Sequence, residues 1–141
     1  MLYLDSAVLV ALHCEEVTTP AVRRWIVKQR EPLAMSDWVL TECVSAFGLK
    51  VRRNELSAAD AHLAIQSIEQ LVEESIEVLP ITAMHYRQAR QWLQQFKLGL
   101  RAADALHLAV AHQADCRLAT YDKILLDVAK ALKVRAVKTL G

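Results

Sequence analysis

The stretch LRAADALHLAVAHQA, residues 100–114, has the pattern of an almost wholly apolar helix with one carboxylate, Asp104, inside it. An unpaired buried carboxylate is strongly destabilising, so this side chain needs a partner. Arg101 lies three residues earlier, and Arg101, Asp104 and His107 can line one side of the helix as a polar stripe. Asp104 is therefore either half of a structural ion pair or a member of a chemical site, and the residues around it decide which.

The composition around this stretch predicts a single domain over residues 1–141. The chain is 54% hydrophobic and long enough to bury a sizeable core. It contains only three glycines and three prolines, which favours a helix-rich globule without flexible linkers. The formal net charge of +1 does not by itself indicate nucleic-acid binding, so any such binding has to use local basic patches.

The sequence favours a cytoplasmic protein that does not associate with a membrane. No apolar run reaches the ~20 residues that a transmembrane helix needs. The first residues, MLYLDSAVLVALHCEE, have no basic leader and carry an acid inside the apolar stretch. Cys14, Cys43 and Cys116 are far apart and form no CxxC pattern, so we expect buried free thiols in a reducing compartment and no zinc site.

The periodicity of the chain predicts an α/β fold. Five short apolar runs are predicted as strands: LYL (2–4), LAM (33–35), IEVLP (76–80), RLAT (117–120) and VRAV (134–137). The segments between them have helical periodicity, with Ser57 and Thr82 as helix N-caps. Short strands that alternate with helices predict a mostly parallel central sheet covered by helices on both faces. In such sheets the chemistry collects at the carboxyl ends of the strands.

Four acids fall at positions that can share this edge of the sheet. Asp5 directly follows the first predicted strand, and Asp122 follows the fourth. Glu42 lies about two turns into the helix after the second strand, and Asp104 lies near the start of its helix, after Gly99. All four acids occur among apolar residues, where a solvated surface acid is unexpected. We therefore expect them to converge on one cleft.

Carboxylates that are held together repel one another, so they share protons, pair with cations or bind a metal ion. A set of oxygen donors suits Mg²⁺ or Mn²⁺, whereas Zn²⁺ favours Cys and His patterns and Ca²⁺ a loop spacing that this sequence lacks. Ser6 and Thr120 place hydroxyls beside Asp5 and Asp122, where they can hydrogen-bond to the acids or to a metal-bound water. Ser6 can equally serve as a helix cap.

The same residues resemble the acidic motifs of a known family. LYLDSAVLVAL, VLTECVSAF, LRAADALHLAVA and LATYD are similar, in this order, to the four acidic motifs of PIN-domain ribonucleases, in the arrangement of VapC-type toxins of bacterial toxin-antitoxin modules. The resemblance implies a PIN-like fold and an endoribonuclease that depends on Mg²⁺ (or Mn²⁺). It also implies that four acids are the metal-binding and catalytic residues: Asp5, Glu42, Asp104 and Asp122.

The resemblance assigns further roles around these acids. Thr120 corresponds to the hydroxyl of the last motif. The chain departs from the pattern at Ile124, where many relatives carry a polar or acidic residue, so one metal ion or two remain open. Metal ions bound to the acids would lower the pKa of a water and stabilise charge on the scissile phosphate. Asp104 or Asp122 can alternatively hold the attacking water as a base, and Arg101 can orient Asp104 or contact phosphate.

Partners also follow from the resemblance. It implies an RNA substrate, a cognate antitoxin whose segment enters the active-site groove, and a homodimer, with DNA reached only through the antitoxin. The mean hydropathy of +0.18 agrees with a surface that is buried by a partner.

Two basic segments are candidates for phosphate contacts. KVRRNE (50–55) supplies Lys50, Arg52 and Arg53 at the far end of the helix that carries Glu42. AVRRWIVKQR (21–30) supplies Arg23, Arg24, Lys28 and Arg30. Basic residues at such positions also form ordinary solvated faces and complement the dipole at a helix end.

Other protein classes with an Asp after the first strand fit less well. A phosphoryl-accepting receiver needs an adjacent acid, and a dehalogenase-like phosphatase needs an acid two residues on, whereas Ser6 and Ala7 stand here. A dinucleotide-binding fold needs glycines in the first turn, which has none. The remaining alternative is a non-catalytic PIN-like module that binds RNA or protein and keeps the acids as a relic or a structural cluster.

Overall fold

Five parallel strands form the centre of the protein, of which a computed structural model describes residues 1–140. The strands are β1 (Leu2–Leu4), β2 (Leu33–Met35), β3 (Ile76–Val78), β4 (Arg117–Thr120) and β5 (Ala136–Lys138). Their order in the sheet is β3-β2-β1-β4-β5. The chain moves outward from β1 in one direction and then restarts beside β1 in the other, so right-handed crossovers place helices on both faces. The predicted parallel α/β fold is confirmed.

Seven helices connect and cover the strands in the described part of the chain. They are α1 (Ser6–His13), α2 (Thr19–Ile26), α3 (Asp37–Arg52), α4 (Ala58–Ser75), α5 (Ala83–Leu93), α6 (Ala102–Gln113) and α7 (Lys123–Ala131). Ser57 caps α4 by accepting a hydrogen bond from the Asp60 N–H, and Thr82 is the N-cap of α5, both as predicted. Among residues 1–140, no helix combines the length and the apolar character that crossing a membrane requires.

Two strands differ from the predicted ones: β3 ends earlier, and β5 both begins later and ends one residue later, at Lys138. β3 ends at Val78 because Pro80 has no N–H for the ladder, although the Leu79 N–H still donates to the Met35 carbonyl. β5 begins at Ala136 because the Val134 N–H donates to the Ala129 carbonyl, which closes the end of α7. The apolar runs were located correctly, and local hydrogen bonds set where the pairing starts and stops.

The central strand β1 determines where the site forms. Leu2, Tyr3 and Leu4 are fully buried between β2 and β4. The ladder continues one step past the strand, since the Asp5 N–H donates to the Ala119 carbonyl. Asp5 is thereby fixed at the carboxyl edge of the sheet, directly beside the end of β4.

Candidate active site

A cleft of about 490 Å³ lies at the carboxyl edge of the sheet and receives all four predicted acids. Its lining consists of these acids together with small and polar neighbours: Asp5, Ser6, Ala7, Glu42, Arg101, Ala103, Asp104, Tyr121 and Asp122. The acids come from four elements, because β1 and β4 end here and α3 and α6 cross the same edge. The cleft thus concentrates carboxylates in a partly dry place, the environment in which they bind cations.

Asp5 is the most rigidly held of the acids. It is only 7% exposed and is the N-cap of α1, where its Oδ1 accepts from the Ala7 N–H (3.4 Å) and the Ser6 hydroxyl (3.3 Å). The buried Thr120 hydroxyl donates to Asp5 Oδ2 at 2.7 Å. Both carboxylate oxygens therefore have fixed directions before any ligand binds.

Asp122 is tied to the same threonine. Its N–H donates to Thr120 Oγ1 at 3.1 Å, so Thr120 links the backbone of one acid to the side chain of another. Asp122 is also the N-cap of α7, and its Oδ1 accepts from the N–H groups of Ile124 and Leu125 at 2.8 and 3.2 Å. This structural role engages Oδ1 and leaves Oδ2 for the cleft.

Glu42 is held by a buried histidine. His107 Nε2 lies 2.5 Å from Glu42 Oε2, and the imidazole is only 1% exposed. Burial by itself raises the pKa of Glu42, but the hydrogen bond and the charge of His107 outweigh it, with smaller help from Ser6 and Trp38, so this pKa is lowered overall. Glu42 therefore stays ionised in the cleft.

The pKa of Asp104 is raised, in contrast to that of Glu42. Its carboxylate is 23% exposed and contacts the exposed Arg101 guanidinium, with Nε to Oδ2 at 3.4 Å. Burial raises the pKa of Asp104, nearby Asp5 raises it further, and Arg101 only partly offsets this. The predicted stripe of Arg101, Asp104 and His107 is wrong in its last member. α6 begins at Ala102 with Arg101 as its N-cap, and His107 points into the protein interior.

The donor atoms suit a hard divalent cation. Asp5, Glu42 and His107 offer ligand atoms that lie within 4.8 Å of one another, and Asp104 and Asp122 line the same cleft outside this group. Both ring nitrogens of His107 already have hydrogen-bonding neighbours, which leaves carboxylate oxygens as the available donors. Such oxygen donors fit Mg²⁺ or Mn²⁺. All three cysteines are buried, unbonded to one another and outside this group.

The KVRRNE segment adjoins the acids. Lys50 and Arg53 line a second cavity of about 270 Å³ that shares Ser6, Ala7 and Tyr121 with the acid cleft. Lys50 itself is engaged, since its Nζ lies 2.7 Å from Glu16 and 3.8 Å from Glu55, while Arg52 and Arg53 are exposed.

The basic residues of α2 are placed differently. Arg23 pairs with Glu15 at 3.0 Å and lines a cavity between α1 and α4. None of the basic side chains of residues 21–30 lines the acid cleft.

Two residues of the site, Tyr3 and Ser36, were not singled out by their sequence pattern, and His107 was singled out only as part of a polar stripe on its own helix. Tyr3 Oη lies 2.7 Å from Ser36 Oγ and 3.0 Å from His107 Nδ1, so a buried chain of hydrogen bonds leads from the sheet to Glu42. The signal was present, because a histidine inside an apolar helix needs a partner for the same reason that Asp104 does. Tyr3 gave a weaker signal, since a tyrosine in a strand is ordinary.

Comparisons with known proteins agree with this architecture. The sequence profile of the PIN domain matches residues 2–131. No curated protein sequence matches the chain at a significant level. VapC20 of Mycobacterium tuberculosis, a sarcin-ricin loop cleaving toxin, superposes with a TM-score of 0.71 and 21% sequence identity, covering 93% of this chain and 95% of that chain.

Two further solved structures have a similar fold. FitAcB from Neisseria gonorrhoeae gives a TM-score of 0.72 at 20% identity, covering 99% of this chain and 98% of that chain. VapBC2 from Rickettsia felis, bound to a DNA fragment from its promoter, gives 0.69 at 15% identity, with 98% of each chain covered. The family match spans nearly the whole chain and agrees with the observed sheet and helices. The chain therefore belongs to the PIN domain family.

Proposed function

We propose that the protein is a divalent-metal-dependent endoribonuclease that hydrolyses RNA phosphodiester bonds and acts as the toxin of a toxin-antitoxin pair. The observation that carries this proposal is the convergence of Asp5, Glu42, Asp104 and Asp122 on one cleft of about 490 Å³. Membership of the PIN domain family supports it, and so does the likeness in fold to VapC20, described as a toxin that cleaves the sarcin-ricin loop.

The four acids have different roles, which follow from the residues around each of them. Asp5 and Glu42, whose oxygens are fixed by Thr120 and His107, are the main metal ligands, and Asp104 and Asp122 complete the set from the rim of the cleft. Mg²⁺ or Mn²⁺ held there would activate water and stabilise charge on the scissile phosphate. Ser6 and Thr120 keep Asp5 in place.

Arg101 stands at the mouth of the cleft. Its side chain is 81% exposed while its Nε contacts Asp104. The guanidinium can therefore orient Asp104 and present its remaining N–H donors to a phosphate of the RNA.

RNA reaches the acids along the KVRRNE segment. Arg53 lines the cavity that continues from the acid cleft, and the exposed Arg52 precedes it at the end of α3. Exposed guanidinium groups suit phosphate contacts. Lys50 contributes less than its position in the sequence predicted, because Glu16 and Glu55 neutralise it.

The proposal includes partners that match those of relatives. An antitoxin would cover the cleft with a basic side chain placed among the acids, and DNA would be reached only through that antitoxin. VapBC2 of Rickettsia felis, which has a similar fold, is bound to a DNA fragment from its promoter. We also propose a homodimer and a cytoplasmic location, both implied by the likeness to VapC-type toxins.

An RNA cleavage assay on the purified protein tests the proposal directly. We expect cleavage of RNA in Mg²⁺ or Mn²⁺, complete loss in excess EDTA, and loss in the Asp5→Asn variant at unchanged fold. Undiminished cleavage in EDTA would contradict the metal-dependent reaction. RNA binding without cleavage in any divalent metal would favour a non-catalytic module. Asp5 and Asp122 would fit that alternative too, because each caps a helix and so has a structural use without chemistry.

A further inference from the structure

A buried row of polar side chains stands behind Glu42, on the side away from the cleft. It runs from Ser36 Oγ to Tyr3 Oη (2.7 Å), from Tyr3 Oη to His107 Nδ1 (3.0 Å) and from His107 Nε2 to Glu42 Oε2 (2.5 Å). Ser36 and Tyr3 are fully buried and His107 is 1% exposed. Only Glu42, the last member, lines the cleft.

The hydrogen-bond direction at the cleft end of this row is determined by the Glu42 carboxylate. A carboxylate can only accept, so His107 Nε2 carries the hydrogen that points to Glu42. On the other side of the ring, Nδ1 faces the Tyr3 hydroxyl, which can either donate or accept a hydrogen bond. Ser36 in turn can donate to the Tyr3 oxygen. Every member thus has a partner, which a buried polar group requires.

The row joins three elements that cross the carboxyl edge of the sheet. Tyr3 lies in β1, His107 in α6, and Glu42 in α3. Glu42 sits on a helix, and its long side chain has several rotatable bonds. The hydrogen bond from His107 to Oε2 is the shortest contact of this side chain and restrains it. Groups that hydrogen-bond to a metal-ligating carboxylate orient it, and their loss typically weakens metal binding.

We infer that His107, anchored by Tyr3, is a positioning residue that presets Glu42 for the divalent cation. This inference rests on the proposed function, since it takes Glu42 as a metal ligand. His107 does not contact the substrate, and its effect on the reaction passes through the orientation of Glu42.

Two substitutions separate the two hydrogen bonds of the ring. In His107→Gln the side-chain amide reaches the former position of Nε2 and can still donate to Glu42. In His107→Asn the amide reaches only the position of Nδ1, so the contact with Tyr3 remains and the contact with Glu42 is lost. Tyr3→Phe removes the anchoring hydroxyl and leaves the His107 bond to Glu42 in place.

The experiment measures Mn²⁺ affinity by calorimetry on folded protein, together with the melting temperature in EDTA. We expect His107→Asn to weaken Mn²⁺ binding by about 10 to 100-fold. We expect His107→Gln to restore most of the affinity and Tyr3→Phe to cause a smaller loss. Cleavage by His107→Asn should recover at high Mn²⁺, because the ligand is displaced but not removed.

Thr19→Val is the matched control. Thr19 is fully buried, and its hydroxyl donates to the Cys14 carbonyl and accepts from the Glu16 N–H, away from the cleft. Its loss should lower the melting temperature and leave the Mn²⁺ affinity unchanged. A purely structural role of His107 would give the same result as this control.

The outcomes distinguish this inference from the proposed function. Wild-type protein that binds Mn²⁺ and cleaves RNA, with unchanged affinity in folded His107→Asn, would overturn the positioning role alone. If His107→Asn does not fold, wild-type affinity in Tyr3→Phe overturns it instead. Wild-type protein that neither binds Mn²⁺ nor cleaves RNA would overturn the proposed function and the inference together.

Discussion

Thr120 connects two acids through a single hydroxyl, and its removal should affect both. The fully buried Oγ1 donates to Asp5 and accepts from the Asp122 N–H. We expect Thr120→Val to lower the free energy of unfolding in EDTA by about 1–3 kcal/mol, because the Asp5 carboxylate loses a buried hydrogen-bond donor and the partly buried Asp122 N–H loses its acceptor. Mn²⁺ binding should also weaken, because Asp5 Oδ2 loses the hydroxyl that fixes its direction.

Thr139→Val is the control for this substitution. Thr139 follows β5, and its backbone N–H donates to the Thr120 carbonyl, but its buried hydroxyl has no hydrogen-bond partner among the described residues. The free energy of unfolding should stay constant or rise, and the Mn²⁺ affinity should not change. Urea denaturation with and without Mn²⁺ measures both effects. Equal losses in the two variants would contradict a special role for Thr120.

The raised pKa of Asp104 implies that the stability of the metal-free protein depends on pH. A folded-state pKa above the unfolded value stabilises the protein below that unfolded value, ~3.9, and this contribution is lost as pH rises through the folded pKa. Metal-free wild-type protein should therefore lose stability over that window relative to Asp104→Asn. The variant should be at least as stable near neutral pH, and its cleavage should be abolished.

Thermal denaturation across pH, with and without Mn²⁺, tests this prediction. For an intact site, Mn²⁺ at a hundred times its dissociation constant stabilises by about 2.7 kcal/mol, and we expect much less in Asp104→Asn. A variant that is clearly less stable without metal but keeps the full Mn²⁺ response would show that Asp104 serves the ion pair with Arg101.

The sequence pattern predicted that Asp104 belongs to the acid cleft, but it placed His107 on a polar stripe beside Asp104, whereas His107 points into the core. The reason lies in the composition of α6. Seven consecutive residues of α6, Ala105 to Ala111, are buried. Apolar periodicity shows which side of a helix faces the core only when another side is polar. The presence of α6 was therefore predictable, whereas the direction of His107 depended on β1 and α3, which are distant in sequence.

At the scale of whole elements, the strands and the acids that follow them were the most predictable features. Asp5 and Asp122 were placed correctly because a residue directly after a parallel strand has little freedom of position. Basic segments were less predictable, since nothing local showed that Glu16, from the loop before α2, would neutralise Lys50. Strand ends are set by backbone geometry, but ion pairs at the surface depend on tertiary packing.

Two double variants compare the end of α3 with the segment around α2 as surfaces that contact RNA. Arg52→Ala with Arg53→Ala removes two exposed charges at the end of α3, where Arg53 lines the cavity that adjoins the acid cleft. Arg24→Ala with Lys28→Ala removes two exposed charges from the segment around α2. We expect only the first pair to weaken RNA binding and reduce its dependence on salt concentration, by about one unit of slope per lost phosphate contact.

Binding titrations at several salt concentrations decide between the two surfaces. Mn²⁺ affinity serves as the internal control and should be the same in both double variants. An unchanged salt slope in the Arg52 and Arg53 variant would make that segment an ordinary solvated surface. A larger change in RNA affinity and salt slope for the Arg24 and Lys28 variant would instead place the RNA contacts on the segment around α2.

At the scale of the whole molecule, the cysteines report on the integrity of the core. All three thiols are buried. Burial raises the pKa of Cys14 and Cys116, and raises that of Cys43 to about 12. Because the thiolate is the reactive form, we expect the folded protein to resist iodoacetamide at pH 8 and to react fully in urea.

Mass spectrometry of each thiol over time provides the measurement. Cys14, which is 7% exposed, should react first in the folded protein, and Cys43 last. The double variant Cys14→Ser and Cys116→Ser should keep the Mn²⁺ response, because neither thiol lies near the acids. Rapid modification of Cys43 without denaturant would show that the core opens far more readily than its burial implies.

The central place of β1 has a consequence during protein synthesis. Asp5 is synthesised before Thr120, which holds it and lies 115 positions later in the chain. At about 5–20 residues per second, translation takes roughly ten seconds to bridge that interval. Throughout this time the nascent chain carries Asp5 without Asp122, while it emerges from a particle built largely of RNA. Completion of the acid cleft therefore has to wait for β4 and the turn after it, so under the proposed function the nascent chain has no complete metal site until that part of the chain has been made and folded.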